Sequence, residues 1–372
     1  MTVAALGSRV RNDLVRLVHR DFDFPQVTAA VGRRLGKAVP FEGICLLTVD
    51  PATLLPTADF VENGLPPAAT TRLTEIELRE QDVNKFTTLA HAPVPAASLS
   101  AATAGDLDRS RRHRELRRPN GFGDELRAVL TSPAGTWGAL TLNRESTSRD
   151  FTPTEVRFVA SLAPILAEGV RRIMLRTNTV KSDDARVDTG FLVIADDDSI
   201  EVANDAAEQW IAQLTANAGA SASLPVAIRA VVAQTRAAAA TGGAVATVRV
   251  QTRTGVWLMV RGSLIGADRI GVLLEPARPA ELATVIGDTY GLTERERVIT
   301  GVLAHGLPTT EIADRLHLSA YTVQDHLKAI FEKTGTGSRG ELVARIFLDH
   351  HLPHLLETTE HVDSTAPSTD HG

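Results

Sequence analysis

Residues 290–348, YGLTERERVITGVLAHGLPTTEIADRLHLSAYTVQDHLKAIFEKTGTGSRGELVARIFL, decide how this 372-residue chain is read. The stretch divides into four short helices. Thr293 followed three residues later by Glu296 is a capping box, so the first helix begins at about Glu294. Its apolar positions Val298, Ile299, Val302 and Leu303 form a stripe expected to face a core. Gly306 ends it. Pro308 sits at or just before the second helix, about residues 310–317, which turns Ile312, Ala313 and Leu316 inward. Ser319 caps the third helix. On that helix Val323, Leu327, Ile330 and Phe331 fall on one arc, and Tyr321, Gln324, Asp325 and Lys328 on the neighbouring one. This second row makes no core. Gln, Asp and Lys side chains match the adenine, cytosine-amino and guanine edges of the major groove; the alternative is a solvated helix face.

The runs LTERERV, GLPTTEIADRL, LSAYTVQDHLKAIFEKTG and SRGELVARI occur in order and without a gap. On them the block resembles the LuxR/FixJ-type (GerE) helix-turn-helix family of bacterial transcription regulators. The resemblance implies binding to double-stranded DNA as a homodimer. It assigns base contacts to Gln324, Asp325 and Lys328, and DNA-backbone contacts to Thr309, Thr310, Thr322, Lys333, Ser338 and Arg339. Dimer contacts fall on the fourth helix, at Leu342, Val343 and Ile346. Many relatives carry basic residues where Gln324 and Asp325 stand here. Residues 291–352 hold seven Lys/Arg against eight Asp/Glu, so nonspecific attraction to phosphates is weak and a specific site leans on dimerisation.

The whole chain is 43% hydrophobic and 23% charged, a globular balance long enough for two or three cores. A net charge of −6 excludes a chain-wide polyanion-binding surface, so nucleic-acid contact has to be local. The single cysteine, Cys45, excludes an internal disulfide and fits a reducing cytoplasm. The first residues carry no signal-peptide core and no run is long enough to span a bilayer, so a cytoplasmic protein without membrane contact is expected.

Before the helical block the pattern is mixed, and the expected fold class is α+β multidomain. Residues 8–37 read as two amphipathic helices, with Val10, Leu14, Leu17, Val18, then Val27, Ala30, Val31 and Leu35 inward and a break at Asp23 or Pro25. A buried strand at 43–49 follows, with a returning strand at 54–61, a helix at 75–90, and a loop-rich segment with a helical piece at 91–120. Residues 125–132 and 136–144 read as a hairpin. Residues 151–175 form a long helix capped by Thr152, Pro153 and Glu155. This order, closing on Trp137-Gly-x-Leu-x-Leu and the long helix, resembles a GAF sensory domain. Strands at 190–195, 200–202, 246–252, 256–263 and 269–274, with helices at 204–214 and 225–240 and the run Val202-Ala-Asn-Asp-Ala-Ala, resemble a PAS-like domain. The expected domains are GAF-like 1–178, linker 179–187, PAS-like 188–276, linker 277–287, helix-turn-helix 288–355 and a disordered tail 356–372. A small-molecule ligand for the GAF-like or PAS-like domain is an implied partner.

Other features read more plainly as structure. Cys45 lies in an apolar strand and is expected to be a small core residue. The run RSRRHRELRR at 109–118, with Asp106, Asp108 and Glu115 nearby, is expected to be a solvated, self-paired helix; in an alternative reading it docks a protein partner and the chain does not bind DNA. Asn84-Lys85 with Phe122, Asp124 and Glu125 is similar to residues of cyclic-nucleotide-binding GAF domains, but the spacing is shorter. His350, His351 and His354 lack further ligands for a metal, and Asp196–Asp198 reads as a turn. Trp137, Trp210 and Trp257 are expected core anchors. There is no Gly-x-Ser-x-Gly elbow, phosphate-binding loop, dinucleotide fingerprint or His-Glu-x-x-His motif, so neither catalysis nor a metal or other cofactor is expected.

Overall fold

A computed structural model of the chain describes residues 3–19, 23–133, 135–175, 188–215, 224–243, 245–266, 268–278, 281–282, 290–304 and 306–342. The expected linker 179–187, the tail 356–372, Val343, Ile346 and the three histidines at 350, 351 and 354 lie outside the described residues.

Helices α1 (Val3–Leu17) and α2 (Phe24–Leu35) open the chain. Asp23 is the break between them. Its carboxylate accepts the Gln26 N–H at 2.8 Å while the Gln26 side chain accepts the Asp23 N–H at 3.2 Å, a reciprocal cap. The eight apolar positions expected to face inward are all buried.

Strands β1 (Gly43–Val49), β2 (Pro56–Glu62), β3 (Ala96–Ser98), β4 (Phe122–Ser132) and β5 (Gly135–Glu145) form a sheet of order β2-β1-β5-β4-β3. All its pairings are antiparallel. Between strands lie α3 (Thr70–Arg79), α4 (Phe86–Ala90) and α5 (Leu99–Thr103), and α6 (Pro153–Leu175) closes the block. Side chains alternate across a sheet, and the register sorts them into two unlike faces. Ile44, Leu46, Leu126, Ala128, Leu140 and Leu142 are fully buried on one face. There α6 packs on β4 and β5, and α2 brings Gly32 over Ile44. The other face carries a row Val61, Cys45, Thr141, Arg127 across four strands, with Gly43, Asn143 and Glu125 in the next row. Gly43 has to be glycine, because a Cβ there would lie 2.2 Å from the Asn63 carbonyl oxygen. The box at Thr152 and Glu155 forms as expected, with the Thr152 N–H donating to the carboxylate at 2.8 Å.

Two expectations are corrected in this block. The single helix at 75–90 is two, α3 and α4, because the chain between them is drawn out of helix: Asn84 has φ +53°, and the Asp82 carboxylate accepts the backbone N–H groups of Arg111 and Arg112 at 3.1 and 3.0 Å. The loop-rich segment contains the edge strand β3, three residues too short to show a pattern.

The second sheet comprises β6 (Gly190–Ile194), β7 (Ile200–Ala203), β8 (Ala246–Gln251), β9 (Trp257–Ile265) and β10 (Arg269–Pro276), in the order β7-β6-β10-β9-β8. Ranked within its own block, that is the order of the first sheet. Its helices are α7 (Asp205–Leu214), capped by Asn204, and α8 (Val226–Thr241). Helix α8 lies against its own sheet through Val231 and Thr235, so close that a Cβ on Gly262 would meet Thr235 Oγ1 at 2.2 Å. It also packs on α3 and β2 of the first block. A buried ion pair reinforces this junction. Arg249 on β8 donates its backbone N–H and Nε to Asp50 at 2.9 and 3.0 Å and its Nη2 at 2.6 Å. The described residues of Met1–Arg176, Val187–Arg253 and Leu258–Pro276 form one compact unit, and those of Thr254–Trp257 and Ala277–Gly372 a second. The mixed α and β layout before residue 277 and the helical layout after it are those expected. No described helix is long and apolar enough to cross a membrane.

Asp50→Asn removes the carboxylate charge of this pair without removing bulk. Breaking a buried pair costs about 3–5 kcal/mol, so the urea midpoint of the full chain is expected to fall clearly; an unchanged midpoint contradicts the role given to this pair.

Candidate nucleic-acid interface

The second unit is built on α9 (Glu294–Ala304), α10 (Thr309–Leu316) and α11 (Ala320–Thr334). The Thr293 N–H donates to Glu296 at 2.7 Å and the Glu296 N–H to the Thr293 hydroxyl at 3.3 Å, so α9 starts where its capping box places it. Helix α10 stops at His317, which takes the left-handed conformation at φ +53° and returns its N–H to Asp314. Two residues later the Ser319 hydroxyl accepts the Thr322 N–H at 3.0 Å and starts α11. A short turn between two capped helices fixes the direction of the second relative to the first.

Leu292, Ile299, Leu303, Ile312, Ala313, Val323, Leu327, Ile330 and Leu342 make the core beneath these helices. Val298, expected in the α9 stripe, is 41% exposed. The buried neighbour is instead Thr300, which can leave water because its hydroxyl donates to the Glu296 carbonyl at 2.8 Å. Leu342, expected at a dimer seam, has no exposed surface and belongs to this core. The dimer positions Val343 and Ile346 are among the residues not described.

Burial of Val323, Leu327 and Ile330 leaves the opposite side of α11 outward. Tyr321, Gln324, Asp325 and Lys328 stand there at i, i+3, i+4 and i+7, all exposed, with Tyr321 at 74%. None of the four makes a hydrogen bond or ion pair among the described residues, so each side chain is available to an outside partner. The expected backbone contacts are less uniform. Thr310 is exposed at the start of α10 and Thr309 beside it is half-buried. Thr322 shares a hydroxyl hydrogen bond with Ser319 at 2.8 Å. The Ser338 hydroxyl accepts the Glu341 N–H at 3.1 Å, and Arg339 donates to the Leu307 carbonyl. Lys333 is ion-paired with Glu296 at 2.7 Å. Arg339 and Lys333 therefore tie the block together.

The other sequence candidates are largely absorbed by structure. The run at 109–118 is not a solvated helix. It contains a π-helical turn over His113–Arg117, and Arg112 and Arg117 are 1% and 4% exposed. Arg112 reaches Asp82 at 3.0 Å and Glu125 at 2.8 Å, and Arg117 reaches Glu125 at 2.9 Å. Burial disfavours the charged form of Glu125, but the surrounding guanidinium groups outweigh it and hold its carboxyl far below the usual range. Arg111 and Arg118, at the surface, pair with Glu80 and Asp108. A partner-docking role for the run loses its two central arginines to the interior. Asn84 donates to the Ser98 carbonyl, Lys85 to the Glu80 carbonyl, and Asp124 accepts from Ser100 and Phe151, so that group is spent on loop anchoring. Cys45 is half-buried and its thiol is pushed up to about 12 by burial, then by Asp59. Trp137, Trp210 and Trp257 are buried, as expected of core anchors. Among the described residues no group of three or more His, Cys, Asp or Glu side chains is placed to hold a metal.

Residues 291–346 match the luxR family of bacterial regulatory proteins. A putative HTH-type transcriptional regulator from the exeN 3′ region of Aeromonas salmonicida is 40% identical over 77 residues, 21% of this chain and 38% of that one. The nitrate/nitrite response regulator protein NarL of Escherichia coli strain K12 is 35% identical over 80 residues, 22% of this chain and 37% of that one. The chain thus spans less than two-fifths of the length of these relatives. Among solved structures, Escherichia coli SdiA is similar with 11% identity and a TM-score of 0.33, over 91% of this chain and 95% of that one. The GAF domain/HD domain protein from Geobacter sulfurreducens is similar with 18% identity and a TM-score of 0.31, over 41% of this chain and 96% of that one.

The cap and ion pair at Glu296 make the second unit sensitive to acid. Burial opposes ionisation of Glu296, but Lys333 and the Thr293 N–H and hydroxyl outweigh it and hold the carboxyl below its ordinary value. A depressed carboxyl contributes stability above the unfolded value of about 4.3 and loses it as pH falls through the folded one. Glu296→Gln is therefore expected to lower the helix-monitored melting temperature at neutral pH, with the gap closing as pH falls below the ordinary carboxylate range. A gap that does not shrink with acid contradicts this.

Proposed function

We infer that this chain, whose residues 291–346 form a luxR-family helix-turn-helix domain, is a bacterial DNA-binding transcriptional regulator and not an enzyme. In this reading α11 enters the major groove of double-stranded DNA, and the protein binds as a homodimer whose two recognition helices span two half-sites. Residues 1–178 and 188–276 serve as GAF-like and PAS-like sensory domains, joined by linkers at 179–187 and 277–287, with the helix-turn-helix over 288–355. The observation that carries the reading is the row Tyr321, Gln324, Asp325, Lys328: four exposed side chains with no partner among the described residues, on a helix capped at both ends by Ser319 and Gly335.

Gln324, Asp325 and Lys328 read base edges. Asp325 suits a cytosine amino group and is repelled by phosphate, so it rejects sequences that offer no such donor. Thr309, Thr310, Thr322 and Ser338 lie closer to the phosphates. Lys333 and Arg339 contribute charge from positions already braced within the domain. Dimer contacts rest on Val343 and Ile346, since Leu342 is core. The seven-to-eight balance of basic and acidic residues over 291–352 supports weak binding to random DNA, and discrimination then comes from the bases.

Measured by fluorescence anisotropy on a selected site, Lys328→Ala is expected to weaken binding about tenfold, within the range of one good base contact. Gln324→Ala relaxes preference at one base pair per half-site. Both variants should keep the wild-type melting temperature, because neither side chain touches the core. Wild-type affinity in both, with the fold intact, contradicts this assignment of α11.

A further inference from the structure

A cavity of about 120 Å³ lies over the polar face of the first sheet. Cys45, Thr141 and Asn143 form its floor. Helix α3 supplies Leu73 and Leu78 to the wall, and α8, from the second sheet's block, closes it with Val226 and Arg229. Most of the lining is apolar, and the polar groups among it are unusually short of partners. Asn143 has no exposed surface, yet neither its amide nitrogen nor its amide oxygen is hydrogen-bonded. The Nε groups of Arg117, Arg127 and Arg229 are buried and unpartnered as well. Buried polar groups in native proteins are nearly always satisfied, so a ring of such groups around one space points to a missing occupant.

The charges say what kind. Arg112 is met by Asp82 and Glu125, Arg117 by Glu125, and Arg127 by Glu77 at 2.9 Å. Arg229 is different. It is 8% exposed, donates to the Leu224 carbonyl at 2.5 Å, and has no carboxylate at ion-pair distance among the described residues. Asp59 in the lining and Asp198 act on Arg229 only from beyond ion-pair distance, and burial pushes the Asp59 carboxyl upward against the opposing pull of Arg229. A guanidinium cannot shed its proton to escape burial, so it needs an anion. A cation without a direct ion pair and several free donors, beside a mostly apolar wall, suit a single carboxylate on an apolar body. A phosphate ester would bring more charge than Arg229 can match. The size is close to the ~150 Å³ apolar cavity known to hold benzene.

We propose that the cavity between the first sheet and α8 binds a compact apolar monocarboxylic acid, its carboxylate held by Arg229 and Asn143, and that α8 reports its occupancy to the second sheet. The binding site stands independently of DNA recognition; its use as a regulatory input rests on the transcription-regulator reading. Because α8 packs on both sheets, a ligand bonded to Arg229 stabilises the arrangement in which the two blocks are joined.

The test uses the full chain with sodium benzoate as the probe and benzamide as its uncharged counterpart, followed by calorimetry and thermal melting. Benzoate is expected to bind saturably and to raise the melting temperature with concentration, and benzamide to bind at least tenfold more weakly. Arg229→Gln and Asn143→Leu should each weaken benzoate tenfold or more while the ligand-free protein still melts cooperatively. If Arg229→Gln does not fold, Asn143→Leu decides alone. Lys328→Ala should bind benzoate as the wild type does. Equal binding of benzoate and benzamide, undiminished binding by the folded variants, or no benzoate binding up to about 10 mM overturns the proposal. Loss of DNA binding with benzoate binding intact overturns only the regulator reading.

Discussion

Helix α8 is the element on which the larger unit depends. A sheet has two faces and each must be covered or wetted. In the first block, α1, α2 and α6 account for the apolar face, and the second face is left with Cys45, Thr141, Arg127, Asn143 and Glu125 pointing into the same space. Part of the cover for that face comes from outside the block, from the helix that also seals the second sheet over Gly262. The Asp50–Arg249 pair holds the same junction from the strand side. Removing two charges from water is expensive, and their bidentate geometry with a backbone N–H added offsets that cost while admitting few alternative alignments. The two blocks consequently form one compact unit although their sheets are separate.

Buried arginine is the recurring device within this unit. Arg112, Arg117, Arg127, Arg144 and Arg249 each find a carboxylate, and several lie over an aromatic ring; Arg144 sits 4.0 Å above Phe151 and Arg127 3.6 Å above Phe86. The guanidinium plane allows this, since it can stack and donate in its own plane at once. Against that pattern the lack of a direct ion pair at Arg229 among the described residues is informative, because the same unit shows what a satisfied interior arginine looks like.

Much of the architecture was legible in the sequence, and the limits of that reading have physical causes. Apolar periodicity located most helices and strands of both sheets, though not β3 or the break between α3 and α4, and the expected caps Thr152, Thr293 and Ser319 stand at helix starts because caps are local chemistry. The outward row on α11 followed from helical geometry alone. What could not be read was anything set by partners far apart in the chain. Arginine-rich runs are usually solvated, so 109–118 looked like surface until Glu125 and Asp82 were brought beside it. Arg229 reaches its cavity from a helix far along the chain from the strands that floor it, and no local pattern marks it or Asn143. Val298 and Leu342 were misplaced for a related reason: which edge of an apolar stripe is covered depends on how neighbouring helices cross.

The two units divide their polar side chains in opposite ways. In the first, charged groups are turned inward and consumed. In the second, Glu296, Lys333 and Arg339 brace the domain while the α11 row has no partner among the described residues, in a block that is not basic; under the proposed reading, recognition then has to come from fitted contacts to bases and not from charge. The most direct test of that claim is to select binding sites from a random double-stranded DNA pool with the full-length protein at low salt. Enrichment of one palindromic sequence, weakened in parallel selections with Lys328→Ala, is the predicted result. A pool that stays random under conditions where any DNA affinity is strongest would contradict the reading of α11 as a recognition helix.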